Sequence, residues 1–436
     1  MSVTFIIIAC VAVLLFLLIT GCPIFICLGA AGAIGIFLNG GISGLSLLQT
    51  TVFGAVSKST LVAAPLFMLM GEIIFRSGIG TNLYNALSRI LHRLPGGLAI
   101  ATVIASAIFG AMCGVSIAAV ASIGVIALPE MLKRNYDPRL AAGAVCAPGA
   151  LAMLIPPSLL FILYGEIAGV SVARLFTAGI LPGILLVLLM CGYIIIYELR
   201  YSKKHVHEEN PDPITWKETA EIIRGLWAPL LLIVGVLGSI YSGIATPTES
   251  AAIGVIGAYI IAAAIYRNFD WQTFRATLSH SARITATILI VFVGAVIFTQ
   301  FLNLLRVPDA FAMFVTSLEM SPWITMLAVQ IMLLTLGMFV DGASMILITT
   351  PILFPTMKAL HWDPIWFGVL MVTNINIAVI TPPVGLNLYT LASITRDVDM
   401  ETILKGTMPY VIVEFIGLLI LIAIPQISLW LPGLMR

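Results

Sequence analysis

The chain has 436 residues, of which 60% are hydrophobic and 9% are charged, and its formal net charge is +1. Because a soluble domain carries about 25% charged residues, this composition excludes a soluble globular protein and indicates an integral membrane protein. The long apolar runs exclude a β-barrel, whose strands alternate polar and apolar residues, and the net charge gives no reason to expect a nucleic-acid partner.

Uninterrupted apolar runs that are long enough to cross a bilayer as helices recur along the chain. They cover residues 3–20, 23–39, 60–77, 173–197, 226–242, 250–266, 284–304 and 406–431. Residues 40–58 are less apolar and are expected to lie along the membrane surface. No basic residue precedes the first run, as it would in a secretory signal, so we expect this run to be retained as a span.

The stretch 97–131 consists of small and apolar side chains around a glycine-rich centre, residues 110–116, and follows a polar loop predicted at 78–96. Each half of the stretch would rise about 22 Å as a helix, which is less than a bilayer core of about 30 Å. Because basic residues flank both of its ends, we interpret it as a re-entrant hairpin. The alternative is one long tilted helix with a GxxxG packing face.

Prolines interrupt the next segment, 140–164, which is predicted to be a helix broken around Pro148-Gly149 and again at Pro156-Pro157. The same punctuation recurs at an offset of 226 residues: Pro129, Asp137-Pro138 and Pro156-Pro157 are answered by Pro355, Asp363-Pro364 and Pro382-Pro383. The chain is therefore a tandem of two related halves. A loop containing Arg306 precedes the second predicted hairpin, 323–357, and the second predicted broken helix is 365–392.

Four other features receive structural interpretations. The hydrophilic segment 199–224 is predicted to be a solvated connector between the halves. The motif at 246–249, Thr-Pro-Thr-Glu, is typical of a capping box, so Glu249 is interpreted as a helix cap. Glu72 and Arg76 lie four residues apart, which favours an ion pair over a functional carboxylate. The six cysteines lack metal-ligand spacing and are interpreted as small buried side chains.

The distribution of basic residues predicts the topology. With the N-terminus outside, the only Lys and Arg residues on the outer side are Lys58, Arg174, Arg306, Lys358 and Arg436, out of 21 in the chain. The two hairpins then open to opposite faces, so the repeats are inverted, as in many secondary transporters. The predicted fold is an all-α polytopic membrane protein with two inverted-topology repeats, about 10–11 transmembrane helices, two re-entrant hairpins and two broken helices.

The second half carries a candidate cation site, formed by small and polar residues of the hairpin tip and the broken helix. The residues are Gly337, Asp341, Gly342, Thr373, Asn374, Asn376 and Thr381, with Ser344 also at the tip. Carbonyl, hydroxyl, amide and carboxylate oxygens suit a hard cation such as Na⁺. Asp341 is the strongest candidate because a carboxylate in a membrane is costly without a cation or proton, and the alternative is a helix cap.

The first half carries an analogous set without a carboxylate. It consists of Gly110, Gly114, Ser116, Ala147, Pro148 and Gly149. The breaks at Pro156-Pro157 and Pro382-Pro383 are followed by half-helix N-termini, whose partial positive charge suits an anionic substrate. Ser158 and Asn387 stand just past these breaks and are candidate substrate contacts, although either could equally be a packing residue.

Several motifs together resemble the large membrane (M, DctM-like) subunit of the tripartite ATP-independent periplasmic (TRAP) transporters, within the ion transporter superfamily. They are Leu94-Pro95-Gly96-Gly97-Leu98, Leu154-Ile155-Pro156-Pro157-Ser158, the segment 243–249, the segment 363–368 and Ile380-Thr381-Pro382-Pro383 with Gly385. The resemblance spans nearly the whole chain. It implies Na⁺-driven import of carboxylates such as a C4-dicarboxylate or sialic acid, by an elevator movement in the bacterial inner membrane.

The resemblance also implies partners and a division of the chain. A periplasmic substrate-binding (P) protein would deliver the substrate, and a small membrane (Q) subunit, which we do not expect to be fused to this chain, would extend the scaffold among the membrane lipids. The cofactor would be Na⁺, two or more ions, with no organic cofactor. The scaffold would comprise 1–78, 173–225 (a helix and the connector) and 226–304, the transport part 79–172 and 305–395, and a final helix 396–436.

The chain departs from the family pattern at the first hairpin. Family members usually have Ser-Gly-Ser-Ala with a nearby aspartate, whereas this chain has Cys113-Gly114-Val115-Ser116 and Ala119. Pro148 and Met153 also replace the usual residues before the first Pro-Pro pair, so the first cation site is expected to be altered. A stand-alone Na⁺/carboxylate symporter is the alternative function. An intramembrane hydrolase and a channel are disfavoured, since no histidine lies mid-span, Asp341 is taken as the only acid within a span, and inverted hairpins suit alternating access.

Overall fold

The computed structural model describes residues 3–201, 216–266 and 270–435, and every regular element in these ranges is helical. The helices are α1 (Val3–Ile19), α2 (Ile24–Val56), α3 (Ala63–Ser77), α4 (Ile79–Leu91), α5 (Gly97–Cys113), α6 (Ser116–Lys133), α7 (Pro138–Ala150), α8 (Leu159–Ala168), α9 (Val172–Tyr201), α10 (Trp216–Tyr241), α11 (Pro247–Ile260), α12 (Trp271–Leu304), α13 (Val307–Ser317), α14 (Pro322–Gly337), α15 (Gly342–Ala359), α16 (Pro364–Val379), α17 (Leu386–Ile394), α18 (Met400–Ala423) and α19 (Gln426–Leu434).

Short helical turns complete three of these elements: 3₁₀ turns at Ser59–Val62 and Leu151–Met153, and a π-helical turn at Ile261–Tyr266. Within the described ranges, seven helical segments are long and apolar enough to cross a membrane, and six shorter apolar helices accompany them. This confirms the predicted all-α polytopic class. Most of the predicted connector, 199–224, lies outside the described residues.

The two halves have the same order of helices and pack on one another reciprocally. Helix α6 begins at Ser116 and its counterpart α15 at Gly342, which is the 226-residue offset read from the prolines (342 − 116). Each contact between the halves is matched by a contact between the corresponding helices: α2 packs on α12 and α3 on α11. Likewise α8 packs on α15 and α17 on α6, and α7 packs on α18 and α16 on α9. Elements of one half therefore complete the core of the other, as a two-fold relation between the repeats requires.

Helix starts follow the expected capping chemistry. Asp137 and Asp363 each precede a proline at the first helical position, and their side chains accept hydrogen bonds from Arg139 N (2.8 Å) and Ile365 N (2.7 Å). In the segment 246–249, Thr246 Oγ1 accepts from Glu249 N and Glu249 Oε2 accepts from Thr246 N, at 3.3 and 2.8 Å. Glu249 is thus a cap, as predicted.

Three predicted boundaries are wrong. The loop at 78–96 is mostly the helix α4, whose apolar side chains Leu83 and Leu87 are buried while its polar side chains lie on the other face. The loop around Arg306 likewise contains the helix α13. The last span is divided into α18 and α19 at Ile424-Pro425, because proline cannot donate the hydrogen bond that would continue α18.

Glycines bring the predicted scaffold helices α2 and α12 into backbone contact. A Cβ atom on Gly32 would lie 2.8 Å from Phe298 Cα, and one on Gly294 would lie 2.6 Å from the Phe25 carbonyl oxygen. Each helix therefore presents a glycine to the backbone of the other, so the two axes approach more closely than larger side chains would allow. Beyond this contact α2 bends at Gly41 (φ 61°), where the less apolar residues 42–56 begin.

Candidate functional site

The tip of the first hairpin lies directly against the first helix break. Helix α5 ends at Cys113 and Gly114 turns the chain with φ 65°, which excludes the alternative of one long helix through this region. A Cβ on Gly114 would lie 2.7 Å from the Pro157 carbonyl oxygen, and one on Gly110 2.7 Å from Ala152 Cα. The predicted residues of the first tip, Ser116 included, are buried against the break.

The first break is shorter than predicted. Helix α7 continues through Pro148 and Gly149 to Ala150, so the prediction of a break around Pro148-Gly149 is wrong. Proline keeps a helical φ, and it removes only one hydrogen bond, to the carbonyl of Ala144, from a helix that is buried on all sides. The chain leaves the helix at 151–158, where the Pro156-Pro157 bond is cis.

Ser158 acts as a cap in this structure. Its hydroxyl donates to the carbonyl oxygen of Met153, which has no helical donor because residue 157 is proline, and accepts from Phe161 N at 3.4 Å. Ser158 is fully buried. Both hydrogen bonds are local, so the geometry supports the packing alternative over the predicted substrate contact.

The tip of the second hairpin meets both halves of the protein. A Cβ on Gly337 would lie 2.7 Å from Ala378 Cβ, and one on Gly342 would lie 2.6 Å from Ile375 Cγ2 and 3.4 Å from Leu160 Cδ1. The first two contacts are to α16 and the third is to the start of α8 in the other half. The hairpin tip therefore lies where the second broken helix ends and the first one resumes.

Asp341 stands at this tip as the N-cap of α15. Its Oδ1 accepts from Ser344 N at 3.1 Å, and its side chain is exposed. One carboxylate oxygen thus serves as the cap that was the alternative to a cation ligand, and the other oxygen has no hydrogen bond within the described part of the chain. The geometry is compatible with both roles.

The predicted polar residues of α16 are buried, and its two asparagines bind different helices, Asn374 binding α14 and Asn376 binding α7. Asn374 Nδ2 donates to the backbone oxygen and to Oε1 of Gln330 on α14, at 2.8 and 2.9 Å. Thr373 bonds back to its own helix, to Val369 O at 2.8 Å. In the orientation that satisfies its hydrogen bonds, the Asn376 amide nitrogen donates to Ala150 O at 3.0 Å.

Asn387 makes the second link between the halves. Its Nδ2 donates to the Cys146 carbonyl oxygen at 3.1 Å, and the Cys146 thiol lies 3.7 Å from the Asn387 carbonyl oxygen. Together with Asn376, this residue joins the second broken helix to the last turn of α7, where Ala147, Pro148 and Gly149 lie. The structure thus brings the two predicted site sets together around the ends of α7 and α16.

The two breaks differ in exposure. Residues 151–158 and the tip at 110–116 are mostly buried, whereas the second tip exposes Phe339 and Asp341 and the second break exposes Pro383 and Val384. Thr381 is half-buried, donates to Ile377 O at 2.5 Å and precedes the cis bond of Pro382-Pro383. The second half-site is therefore the accessible one in this conformation.

The oxygens around the second site suit a hard cation. The Oδ1 atoms of Asn374 and Asn387 are buried and have no hydrogen-bond partner in the described part of the chain, and an amide oxygen in this condition accepts either a cation or a donor. In the same part of the chain, no group of three His, Cys, Asp or Glu side chains could hold a metal ion. Amide and carbonyl oxygens match Na⁺ better than a transition metal.

Three buried or paired side chains were missed from the sequence. Gln330 has no distinguishing pattern in its apolar helix. Glu166 on α8 receives Lys58 Nζ and Thr60 Oγ1 from the segment before α3, a contact that spacing could not reveal. Glu414, like Glu72, is an acid within a predicted span, so the assumption that Asp341 was the only one is wrong, and the position of Glu414 in an apolar run was a usable signal.

The predicted pair Glu72–Arg76 is confirmed as an ion pair. Arg76 Nε lies 2.6 Å from Glu72 Oε1, and His280 Nδ1 lies 3.2 Å from Glu72 Oε2. The neighbouring Gly71 faces the first hairpin tip, since a Cβ there would lie 2.7 Å from Cys113 Cα. The contact between Glu72 and His280 thus ties α3 to α12 beside the first tip.

Comparisons with known proteins agree with this architecture. The sequence profile of the tripartite ATP-independent periplasmic transporter DctM component matches residues 11–427. The chain is 35% identical over 406 residues to the C4-dicarboxylate TRAP transporter large permease protein DctM of Pseudomonas aeruginosa, covering 93% of each chain. It is 28% identical to the sialic acid TRAP transporter large permease protein SiaM of Vibrio cholerae, covering 90% of each.

Solved structures show the same fold. The Alcanivorax borkumensis YdaH transporter superposes with a TM-score of 0.64 at 17% identity, and the match covers 88% of this chain and 89% of that one. The relatives are transporter permeases, so this chain is not an enzyme. The predicted resemblance is confirmed: the chain is a multi-pass membrane protein that belongs to the DctM family of TRAP transporter large permeases.

Proposed function

We propose that this chain is the large transmembrane subunit of a Na⁺-coupled, binding-protein-dependent secondary transporter that imports small organic acids across a bacterial inner membrane. The observation that carries the proposal is the meeting of the two helix breaks. Each hairpin tip lies against a break, and Asn376 and Asn387 hydrogen-bond across the repeats to Ala150 and Cys146. Such a meeting of unwound backbone is the usual place for substrate and ions in transporters with internal repeats.

Na⁺ is the coupling ion that the donor set favours. The second site would use backbone oxygens near Gly337 and Gly342, the Thr373 and Thr381 hydroxyls, the amide oxygens of Asn374 and Asn376 and the Asp341 carboxylate. The first site has no carboxylate and would rely on backbone carbonyl oxygens and the Ser116 hydroxyl. Each bound Na⁺ would stabilise its hairpin against the break and let the inward Na⁺ gradient drive uptake.

Carboxylates are the substrate class that the second break favours. Helix α17 begins at Leu386, after Gly385 with φ 51°, and its first amide groups point to the exposed end of the break. The N-terminus of a helix attracts an anion through its unpaired N–H groups and its dipole. Two relatives are named for C4-dicarboxylate and sialic acid, which are both carboxylates. We propose the same class for this chain.

The partners are proposed from family membership. A periplasmic binding protein would deliver the substrate, and a small membrane subunit would cover part of the scaffold. The lipid-facing character of the outer helices supports a membrane or subunit environment, since Phe16, Ile19 and Phe53 are more than half exposed. The N-terminus would be periplasmic, and the hairpins with α7, α8, α16 and α17 would move as one body against the scaffold.

The test is uptake by the chain reconstituted with a small-subunit partner and a binding protein, using a C4-dicarboxylate and a sialic acid under an inward Na⁺ gradient. Uptake that needs both Na⁺ and the binding protein supports the proposal. Uptake without the binding protein would favour the stand-alone symporter. Uptake that ignores the Na⁺ gradient would overturn the coupling.

Asp341 is tested with two substitutions that separate its possible roles. Asp341→Asn keeps an oxygen that can cap α15 but removes the charge, whereas Asp341→Ala removes both. We expect the half-saturating Na⁺ concentration to rise about tenfold or more in both variants, while only Asp341→Ala loses thermal stability. Asp399→Asn, at the exposed start of α18, is the matched control. Normal Na⁺ dependence in Asp341→Asn would leave Asp341 as a cap only.

A further inference from the structure

Glu414 is a fully buried acid in the middle of the apolar helix α18. Its exposed fraction is 0%, and neither carboxyl oxygen has a hydrogen-bond partner in the part of the chain that the structure describes. The flanking residues, Val411 to Leu421, are apolar except for Glu414 and Gly417. An ionised carboxylate in such surroundings would lack both solvent and a counter-charge, at a cost that proteins avoid by binding a proton.

Glu414 lies between two contacts that α18 makes with neighbouring helices. At one side α18 runs beside α7, because a Cβ on Gly143 would lie 2.3 Å from the Gly406 carbonyl oxygen and 2.6 Å from the Tyr410 ring. At the other side α16 begins beside the far end of α18, where Trp366 Nε1 donates to the Leu421 carbonyl oxygen at 2.9 Å. Glu414 lies between these contacts.

The second of these contacts relates Glu414 to the candidate cation site. Helix α16 runs antiparallel to α18 from the Trp366–Leu421 contact, so Glu414, seven residues before Leu421, lies at the level of Thr373, seven residues after Trp366. Helix α16 ends beside Ala150. Thr373 is a residue of the second predicted cation site. Packed helices have axes about 8–10 Å apart, so Glu414 stands one helix behind the place where a cation would bind.

The other titratable groups near Glu414 are neutral types. Helix α9 packs beside it through Leu186, to which a Cβ on Gly417 would come within 2.3 Å, and carries Cys191 and Tyr193 near this level. Helix α7 contributes Cys146, α17 contributes the exposed Tyr389, α18 itself contributes Tyr410, and α16 has no titratable side chain. The charged side chains of these helices, Arg139, Arg174, Glu198, Arg200, Glu401 and Lys405, lie toward helix ends.

We propose that Glu414 is a proton-binding site that is linked to cation binding at the helix breaks. Without a cation the group is the neutral acid. When a cation binds one helix away, its field stabilises the carboxylate: the O–H bond breaks, the electron pair stays on the carboxylate and the proton leaves to water. Linkage is reciprocal, so loss of the proton tightens cation binding. For charges about 10 Å apart in a protein interior, the expected effect on cation affinity is about tenfold.

This proposal rests on the proposed cation coupling, but its first test does not. Infrared spectra of the purified chain in lipid nanodiscs, without Na⁺, report the C=O stretch of a protonated carboxylic acid, identified by its shift in D₂O. We expect that band in the wild type, its loss in Glu414→Gln and its retention in Glu401→Gln, an exposed control on the same helix. A spectrum unchanged by Glu414→Gln would overturn the proton site.

The second test begins with proton release by the wild type, and this first measurement does not depend on a variant that folds. Addition of NaCl, but not choline chloride, to the protein in weak buffer with a pH indicator should release protons. The Na⁺ concentration for half-saturation should fall about tenfold as pH rises through the titration of Glu414, and should be independent of pH in Glu414→Gln. Na⁺ binding without proton release would overturn the linkage; no Na⁺ binding at all would instead overturn the proposed function, and the infrared band would still decide the proton site.

Discussion

In the described part of the chain, several single glycines lie directly against the backbone of a neighbouring helix. A Cβ on Gly406 would lie 2.1 Å from the Arg139 carbonyl oxygen, a separation that real Cβ atoms do not show. Backbone cannot move aside as a flexible side chain can, so α7 and α18 would have to separate. Since α7 carries one of the two candidate sites, the contact also sets the geometry of that site.

Gly406→Ala is therefore expected to destabilise the protein by about 1–3 kcal/mol, the usual cost of overpacking. The measurement is thermal unfolding in detergent, read as a lower Tm. Gly192→Ala is the matched control, because Gly192 is also inside a long helix, α9, and a Cβ there meets nothing within 4 Å. An equal Tm for the two variants would show that the α7–α18 contact has room to relax.

Single residues also show where sequence reasoning reaches its limit. The residue types at the breaks were predictable, because proline pairs and glycines have few alternative uses at membrane depth. Their roles were harder: Ser158 caps α8 and Asp341 caps α15, and a cap and a ligand need the same oxygens. Only the direction of the hydrogen bonds separates these roles, and sequence spacing does not contain that direction.

At the scale of elements, the second hairpin is held to α16 by an amide pair. Asn374 Nδ2 donates to both the backbone and the side-chain oxygen of Gln330, so one residue of α16 binds α14 in two places. Both residues are buried, where a neutral hydrogen bond contributes about 1 kcal/mol and its loss leaves a costly unpaired group. The pair is thus placed to set how far hairpin and helix can separate.

Gln330→Leu should raise the half-saturating Na⁺ concentration by about fivefold, with little change in maximal uptake, because a looser hairpin weakens the site it closes. Thr335→Val is the matched control, since Thr335 is exposed on the same helix and bonds only to Ile331 O. In a double-mutant cycle with Asn374→Leu, the two substitutions should not be additive. Additive effects, or a loss of maximal uptake alone, would contradict a clamp between α14 and α16.

The elements differ in how well sequence predicts them. The hairpin and broken-helix order was readable from the repeated proline and glycine pattern, and α6 and α15 start 226 residues apart as that pattern requires. Helices α4 and α13 were taken as loops, because their polar residues occupy one face and lower the average hydropathy of the segment. Their apolar faces are buried against the hairpins and scaffold, and an average over the segment hides that periodicity.

At the scale of the whole molecule, the proposed mechanism requires the transport part to slide against the scaffold. Lys58 and Thr60 precede α3 in the predicted scaffold and both bind Glu166 of α8 in the predicted moving body. Thr248 adds a tie within the scaffold, donating to Ser59 O at 3.2 Å. A sliding movement would have to break the Glu166 contacts in every cycle, whereas a channel or a rigid protein would keep them.

A short reducible thiol cross-linker between Lys58→Cys and Glu166→Cys, in a background without the six native cysteines, should abolish uptake when it bridges the pair and restore it on reduction. The control pair is Thr177→Cys with Met435→Cys, whose native side chains touch outside the predicted transport part, with Thr177 Oγ1 2.9 Å from Met435 Sδ. That cross-link should leave uptake unchanged. Full uptake with the Lys58–Glu166 pair cross-linked would exclude sliding at this interface.

The reciprocal packing of the repeats has a consequence for how the protein is made. Helix α2 finds its main neighbour, α12, some 250 residues later in the chain, and α3 must wait for α11. Because synthesis proceeds from the N-terminus at about 5–20 residues per second, the glycine faces of α2 would spend on the order of ten seconds or more in the bilayer unpaired. Insertion machinery or lipid must occupy them during that interval. A ribosome that stalls before residue 271 would leave a fragment in which α2 has no α12 to pack against.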